Sequence, residues 1–440
     1  MSFVTRMLRR SPRSAPEIAL SPARQNAAPR LSMPPRPGAP RAGGPSPIDM
    51  VPPPSQQHAL REVFTPTRPQ RSSRRVSGRQ TELLRIFRAI ALDRAHVVLY
   101  GERGRGKTSL VNLVASAARS SGYMVGRYTC SFDSCFEDIV RGLVRDLPKS
   151  MLAAPIIQDD ELEGCEAALP RNRVQPRDVA ALPGRLAGRH VVLIADEFDR
   201  VEDGATRTWF ADAIKQASDR GAAISFIIVG VSDSLEELLG RHPSIQRNIL
   251  GLALPLLSDT EIDEILVQGG REAAIEFLPE VRQAVVDVAR GVPYVAQLLG
   301  LHAGTEAIAR ASPEVEAPDL LAAFRRAVDE ADPRVAAIYQ GITGGERDRA
   351  MLQSLRSIAG GEQDRYARFV VSEHENMHYI AEHWLEPGVW GRLLESGTVR
   401  ACRSIGPDYF AFSEPMLQHY ILMRETLDRG LPLYNEGAFA

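Results

Sequence analysis

His96-Val-Val-Leu-Tyr100-Gly101-Glu-Arg-Gly-Arg-Gly106-Lys107-Thr108 is the stretch that decides the fold. Its first five residues are a short β-branched apolar run, the pattern of a buried strand. Gly101 to Thr108 fits G-x-x-x-x-G-K-[ST]. The following Ser109-Leu-Val-Asn-Leu-Val-Ala-Ser-Ala-Ala118 favours a helix, with Leu110, Leu113 and Val114 on one face. Strand, glycine loop and helix together are what phosphate binding needs. Glycines let backbone N–H groups turn inward, and a helix N-terminus adds favourable partial charge. Lys107 is then expected to reach the β- and γ-phosphates, and the Thr108 hydroxyl to ligate Mg²⁺. Gly101, Gly104, Arg105, Gly106, Lys107, Thr108 and Ser109 are the expected phosphate-binding residues. The chain has only Lys107, Lys149 and Lys215 as lysines and uses arginine elsewhere, so a lysine at this position is not background.

His190-Val-Val-Leu-Ile-Ala-Asp196-Glu197 is the second informative stretch. An apolar run ending in two carboxylates predicts a buried strand that delivers acids to the mouth of the loop. Asp196 is expected to hold Mg²⁺ through water, and Glu197 to polarise the attacking water. The plainer reading, a buried strand with a solvated acidic turn, is disfavoured by the upstream loop. Asp199 reads as a surface or helix-start residue. Ala222-Ala-Ile-Ser-Phe-Ile-Ile-Val229 predicts another buried strand, followed by Gly230-Val-Ser-Asp233-Ser234.

Gly78-Arg79-x-x-Glu82-Leu83, lying upstream of the loop, resembles the entry to AAA+ ATPases of the origin-recognition and STAND-like groups. The resemblance implies that Val76, Gly78 and Arg79 lie near an adenine. It implies a polar sensor at the end of the Ala222–Val229 strand, Ser232 or Asp233. Asp233 reads equally as the cap of a helix over 235–239. It also implies an arginine that reaches a neighbouring subunit's γ-phosphate, Arg247 or alternatively Arg241. Ser258 with Glu261 forms a capping box that starts a helical lid. Gly291-Val-Pro293 resembles the Gly-x-Pro that couples nucleotide to lid position. Tyr294 stands where many relatives carry a sensor arginine, which leans the resemblance towards the STAND-like side. ATP rather than GTP is implied, and no Asn-Lys-x-Asp guanine signature is present.

The expected fold is α/β: a P-loop AAA+ parallel sheet with helices on both faces, then a helical lid, then a winged-helix-like domain. The expected boundaries are a tail over 1–75, a nucleotide-binding domain over 76–256, a lid over 257–332 and a C-terminal domain over 333–430. Residues 148–175 read as a polar loop. The C-terminal domain rests on a helix from Arg347, a helix–strand over Trp390–Val399, a return strand Tyr409–Ser413 and a closing helix Glu414–Met423. Its Tyr409-to-Ile421 segment resembles the C-terminal domains of archaeal-type ATPases.

Composition narrows the partners. A net charge of -2 implies no bulk attraction to nucleic acid or membrane. Cys130, Cys135, Cys165 and Cys402 form no disulfide framework and suggest a reducing compartment, so a cytoplasmic location is expected. No apolar run is long enough for a membrane helix, and no apolar core follows the N-terminal arginines as a secretory signal requires. Residues 1–75 hold thirteen arginines against Glu17, Asp49 and Glu62 and are rich in proline. They read as a disordered basic leader, with an electrostatic arm or a transit peptide as alternatives. From Glu362 onward seven arginines and no lysines face twelve Asp and Glu. That balance disfavours DNA and favours protein contact by the C-terminal domain. His374-Glu375-Asn-Met-His378 is a literal H-E-x-x-H without a clearly spaced third ligand. The sequence therefore points to an ATP- and Mg²⁺-dependent switch or assembly ATPase, homo-oligomeric or bound to a partner protein. A DNA-acting ATPase is the alternative, and an ATP-driven zinc protease is the weaker one.

Overall fold

The computed structural model describes residues 56–68, 78–153, 163–186, 190–240, 242–343, 349–372, 380–381, 389–403 and 405–429. The first described element is a helix, α1 (Gln56–Val63), followed across a gap by α2 (Gln80–Ala91). The nucleotide-binding unit is then β1 (His96–Tyr100), α3 (Lys107–Ser120), β2 (Met124–Thr129), α4 (Phe136–Arg145), β3 (Val191–Asp196), α5 (Gly204–Asp219), β4 (Ile224–Gly230) and β5 (Ile249–Ala253). The five strands form one sheet in the order β2-β3-β4-β1-β5. Every pairing is parallel, with Val97 opposite both Ile227 and Leu250, and Leu193 opposite both Gly126 and Phe226. All residues of β3 and β4 are buried. That burial explains their unbroken apolar runs, since a parallel sheet is covered on both faces.

Two cores flank the sheet. On one face α2 and α3 place Ile86, Phe87, Leu110 and Val114 against Val97, Leu99, Ile194 and Val229. On the other face α4 and α5 place Ile139, Leu143, Phe210 and Ile214 against Val98, Leu193 and Phe226. Residues 163–175, expected as part of a polar loop, contribute Cys165, Leu169 and Val174 to this second core. Because the sheet is parallel, the carboxyl ends of β1, β3 and β4 emerge at one edge. In open α/β sheets, ligands bind along that edge.

The lid consists of α6 (Asp259–Ala273), α7 (Pro279–Ala289), α8 (Pro293–Ala309) and α9 (Ala317–Asp329). The short strands β6 (Glu276–Phe277) and β7 (Glu314–Val315) pair within it. Ser258 and Glu261 form the expected capping box at the start of α6. The C-terminal unit holds α10 (Pro333–Thr343), α11 (Arg349–Gly360), β8 (Phe369–Ser372), β9 (Ile380–Ala381), α12 (Val389–Glu395), β10 (Val399–Ala401), β11 (Tyr409–Phe412) and α13 (Pro415–Arg429). Its sheet runs β10-β11-β8-β9, with β11 antiparallel to both β10 and β8. Helix, hairpin and closing helix form as expected, and β8 and β9 are additional strands. The fold is the AAA+ parallel sheet followed by a helical region and a small winged-helix-like sheet.

Lid and C-terminal unit share one apolar core, which runs from Ile262 and Val285 through Phe324 to Leu417 and Tyr420. Tyr339 and Tyr420 meet edge to face at 5.3 Å across it. Residues 56–68 correct the expected tail. Leu60, Val63 and Phe64 lie in this same core, and Phe64 packs edge-on against Phe277 at 5.6 Å. The proline- and arginine-rich surroundings hide a one-face apolar triplet at helical spacing.

Candidate active site

The loop after β1 is built on left-handed backbone. Gly104 has φ +78° and Gly106 φ +87°, conformations that glycine adopts without a Cβ penalty. A Cβ on Gly104 would also lie 3.2 Å from both Tyr294 Cβ and Val292 Cγ1. The lid thus sits directly on the phosphate loop, and the Tyr294 N–H donates to the Gly104 carbonyl at 3.3 Å. Gly106 caps α3, whose first residues are Lys107 and Thr108.

A cleft of about 670 Å³ opens between this loop, the ends of β3 and β4, and the lid. Of the residues expected at the site, it is lined by Arg79, Gly104, Arg105, Gly106, Lys107, Thr108, Ser109, Asp196, Glu197 and Pro293. The Lys107 ammonium donates to the carbonyls of Gly101 at 2.7 Å and Glu102 at 2.9 Å. Burial pushes its pKa down to about 8, against the opposing pull of the Asp199, Glu102 and Asp196 carboxylates. Asp196 is buried, accepts from its neighbour's Glu197 N–H at 3.0 Å, and pairs with Arg127 at 2.5 Å. Glu197 has left-handed backbone at φ 55°, which costs a non-glycine residue roughly 1 kcal/mol or more. Its half-exposed carboxylate pairs with Arg200 at 2.9 Å.

Arg79 and Arg105 hold the loop rather than point into it. The buried Arg79 guanidinium donates to the Arg105 carbonyl at 3.0 Å and the Pro255 carbonyl at 2.9 Å. Burial lowers its pKa to about 10. Arg105 turns away from the cleft and donates to the Leu254 carbonyl at 3.1 Å and, in the C-terminal unit, to the Tyr366 carbonyl at 2.8 Å.

Four expected residues are placed elsewhere, among them Gly101, which lines a cavity that faces the C-terminal unit. Gly78, at φ +77°, faces the Glu261 carboxylate, which a Cβ would approach to 2.4 Å. Asp233 lies beyond the end of β4 and lines a second cavity between the loop and the C-terminal unit, where it pairs with Arg400. Ser234, not Asp233, caps the helix over Leu235–Leu239, accepting from the Glu237 N–H. Arg247 is exposed on the turn before β5 and does not line the cleft. Val76, Arg241, His374, Glu375 and His378 fall outside the described residues.

Several residues at the site were missed by the sequence reading. Asp199 lines the cleft and accepts from the Val231 N–H at 2.8 Å. Its spacing, two residues after Glu197, is the signal that could have found it. Thr65 to Arg68 and Gln297 form a wall of the cleft, tied by the Thr65 N–H donating to Gln297 Oε1 at 2.9 Å. Arg127 carries no sequence signal, because only the β2–β3 register brings it to Asp196.

The donor set suits a magnesium–nucleotide. Positive-φ glycines line the loop, a lysine and a threonine open α3, and a buried carboxylate faces them across a cleft of nucleotide size. A strand-end acid pair opposite a G-x-x-x-x-G-K-T loop is the arrangement of a P-loop nucleotide-binding fold. Residues 91–239 match the family model described as an AAA domain. No curated protein matches the chain. Among solved structures, it is similar to the Walker-type ATPase paby2304 of Pyrococcus abyssi, at 15% identity and TM-score 0.50, over 82% of this chain and 99% of that one. The ORC2 protein of Aeropyrum pernix aligns at 18% identity and TM-score 0.47, over 84% and 97%. The Holliday junction branch migration motor RuvB of Thermotoga maritima aligns at 17% and 0.41, over 82% and 98%. Residues 91–239 are thus similar to an AAA domain, and the fold is the AAA+ parallel sheet with a helical region and a winged-helix-like unit.

Proposed function

We propose that this chain binds ATP and hydrolyses it with Mg²⁺, as an AAA+ switch or assembly ATPase acting on a protein partner. The observation that carries the reading is the convergence of Lys107, Thr108, Asp196 and Glu197 on one cleft roofed by Pro293. Thr108 and Asp196 would hold Mg²⁺, which neutralises phosphate charge when bound. The backbone N–H groups of Gly104 to Thr108 cradle the phosphates, and Lys107 leaves its loop carbonyls to pair with them. Glu197, freed from Arg200, orients the attacking water. Pro293 and Tyr294 rest on the loop, so phosphate occupancy is transmitted to α8 and the lid. Arg247, exposed and away from its own cleft, acts on a neighbouring copy in a homo-oligomer. Among the described residues no helix is long and apolar enough to cross a membrane.

The acidic balance of the C-terminal unit supports a protein rather than a nucleic-acid target. Turnover of the full chain, wild type against Lys107→Ala and Glu197→Gln, with and without DNA at low salt, tests the whole reading. Lys107→Ala is expected to lose ATP binding. Glu197→Gln is expected to bind ATP and hydrolyse it roughly 100-fold more slowly. Normal hydrolysis by Glu197→Gln removes its assigned role, and absence of ATP binding by the wild type overturns the proposal. A DNA-stimulated rate moves the target from protein to DNA.

A further inference from the structure

The C-terminal unit reaches the phosphate loop with a cationic side chain. Arg400, in β10, donates Nη2 to Glu102 Oε1 at 2.7 Å and to Asp233 Oδ1 at 3.1 Å, while its Nη1 pairs with Asp233 Oδ2. Glu102 is the second residue of the phosphate loop, and Asp233 follows β4. Two further contacts fix the same face: Arg105 to the Tyr366 carbonyl at 2.8 Å, and the Leu256 N–H to the Arg365 carbonyl at 2.7 Å. Glu102, Arg105, Asp233, Leu256, Tyr366 and Arg400 line a cavity of about 260 Å³, which shares Arg103 and Arg105 with the nucleotide cleft.

Glu102 is therefore held twice. Lys107 holds its carbonyl at 2.9 Å, and Arg400 holds its carboxylate. Phosphates entering the cleft compete with the Gly101 and Glu102 carbonyls for the Lys107 ammonium, which favours release of the Glu102 carbonyl as they bind. A side chain that pins Glu102 from the C-terminal unit opposes that release.

We propose that Arg400 is a positioning residue that holds the phosphate loop in its self-bonded state, so that docking of the C-terminal unit lowers affinity for nucleoside triphosphate. This rests on the ATP-binding reading above. By linkage, nucleotide loosens the C-terminal unit to the same degree, and a protein partner that lifts the unit strengthens nucleotide binding. Arg400 thus supplies a charged contact to the loop from outside the nucleotide-binding unit and its lid.

The test measures the dissociation constant of a fluorescent ATP analogue and steady-state turnover for the full chain, comparing wild type, Arg400→Ala, Arg400→Gln, Arg400→Lys, Glu102→Gln and the Arg400→Ala/Glu102→Gln pair. Arg400→Ala is expected to bind about five-fold tighter, with KM falling and kcat changing less. Arg400→Gln, which retains side-chain volume, gives the same result if the alanine variant folds poorly. Arg400→Lys falls between, since one ammonium cannot grip both carboxylates. The double variant tightens no further than Arg400→Ala, because both changes remove one bond. Unchanged or weaker nucleotide binding in both Arg400→Ala and Arg400→Gln overturns the role of Arg400 alone. A wild type that binds no nucleotide overturns the ATP-binding reading and this proposal with it.

Discussion

Arg127 Nη2 lies 2.5 Å from Asp196 Oδ2, joining the middle of β2 to the end of β3. The same guanidinium also reaches Asn112 of α3. Asp196 is buried, whereas Arg127 keeps about a quarter of its side chain in water. Removing the arginine leaves a buried carboxylate without its cation, the costly half of such a pair. Arg127→Ala is expected to destabilise the fold by about 2 kcal/mol, and Asp196→Asn by less, because the amide oxygen still accepts from Arg127. Chemical denaturation of both variants checks this; equal stability of Arg127→Ala and wild type would show that the pair contributes nothing.

The N-terminal helix is seated by glycines of the lid. A Cβ on Gly300 would lie 2.5 Å from Phe64 Cε1, and one on Gly269 would lie 2.3 Å from Phe64 Cζ. Phe64→Ala is expected to cost about 3–4 kcal/mol through the cavity it leaves. Gly300→Ala is expected to cost about 1–3 kcal/mol by overpacking, despite alanine's better helix propensity. In the double variant the Gly300→Ala penalty vanishes, a non-additivity readable in melting curves. Additive losses would mean that Phe64 does not occupy this site in solution.

Asp199 anchors the end of β4 to the acid cluster by accepting from the Val231 N–H. It also lines the cleft beside Lys107. Asp199→Ala is expected to lower ATP turnover roughly tenfold or more, as loss of an outer-sphere partner does. Thermal stability is expected to fall only slightly. Turnover equal to wild type returns Asp199 to the surface role read from sequence.

Acid is expected to destabilise the protein in a defined window. His96 accepts from the Phe226 N–H at 3.1 Å and faces Ser218 Oγ at 3.1 Å, while His419 Nδ1 meets the Val288 carbonyl at 2.8 Å. Burial pushes each from its ordinary 6.5 down to about 4, so both are neutral in the fold. Between those values the unfolded chain binds the protons and the folded one does not, so stability falls as pH drops from 6.5 towards 4. The loss is on the order of 2–3 kcal/mol for each histidine across the window. His96→Asn, whose Oδ1 can accept from Phe226, is expected to flatten this slope. Melting temperatures from pH 7 to 4 read it, and an unchanged slope removes His96 from the account.

The chain alone determined the local shape of the phosphate loop. Strand, glycines, Lys107 and Thr108 are contiguous, and local backbone rules fix what eight adjacent residues can do. Asp196-Glu197 was legible for the same reason, because an apolar run that ends in two adjacent carboxylates delivers both at the strand's end. The capping box at Ser258 and the helix–hairpin–helix order of the C-terminal unit were also written locally. Residues brought together across the chain were not legible. Phe64 carries no mark that the lid will receive it, since its pocket is made by Gly269 and Gly300. Arg127 reaches Asp196 only through strand register, and Arg105 turns to Tyr366 only because the C-terminal unit docks there. Asp233 shows the difference most directly. The family resemblance offered it, or Ser232, as a nucleotide sensor, and helix capping was an equal reading of it. The tertiary structure turns its carboxylate to Arg400, because a side chain's direction at a strand end is set by what packs beside it, not by its place in the chain.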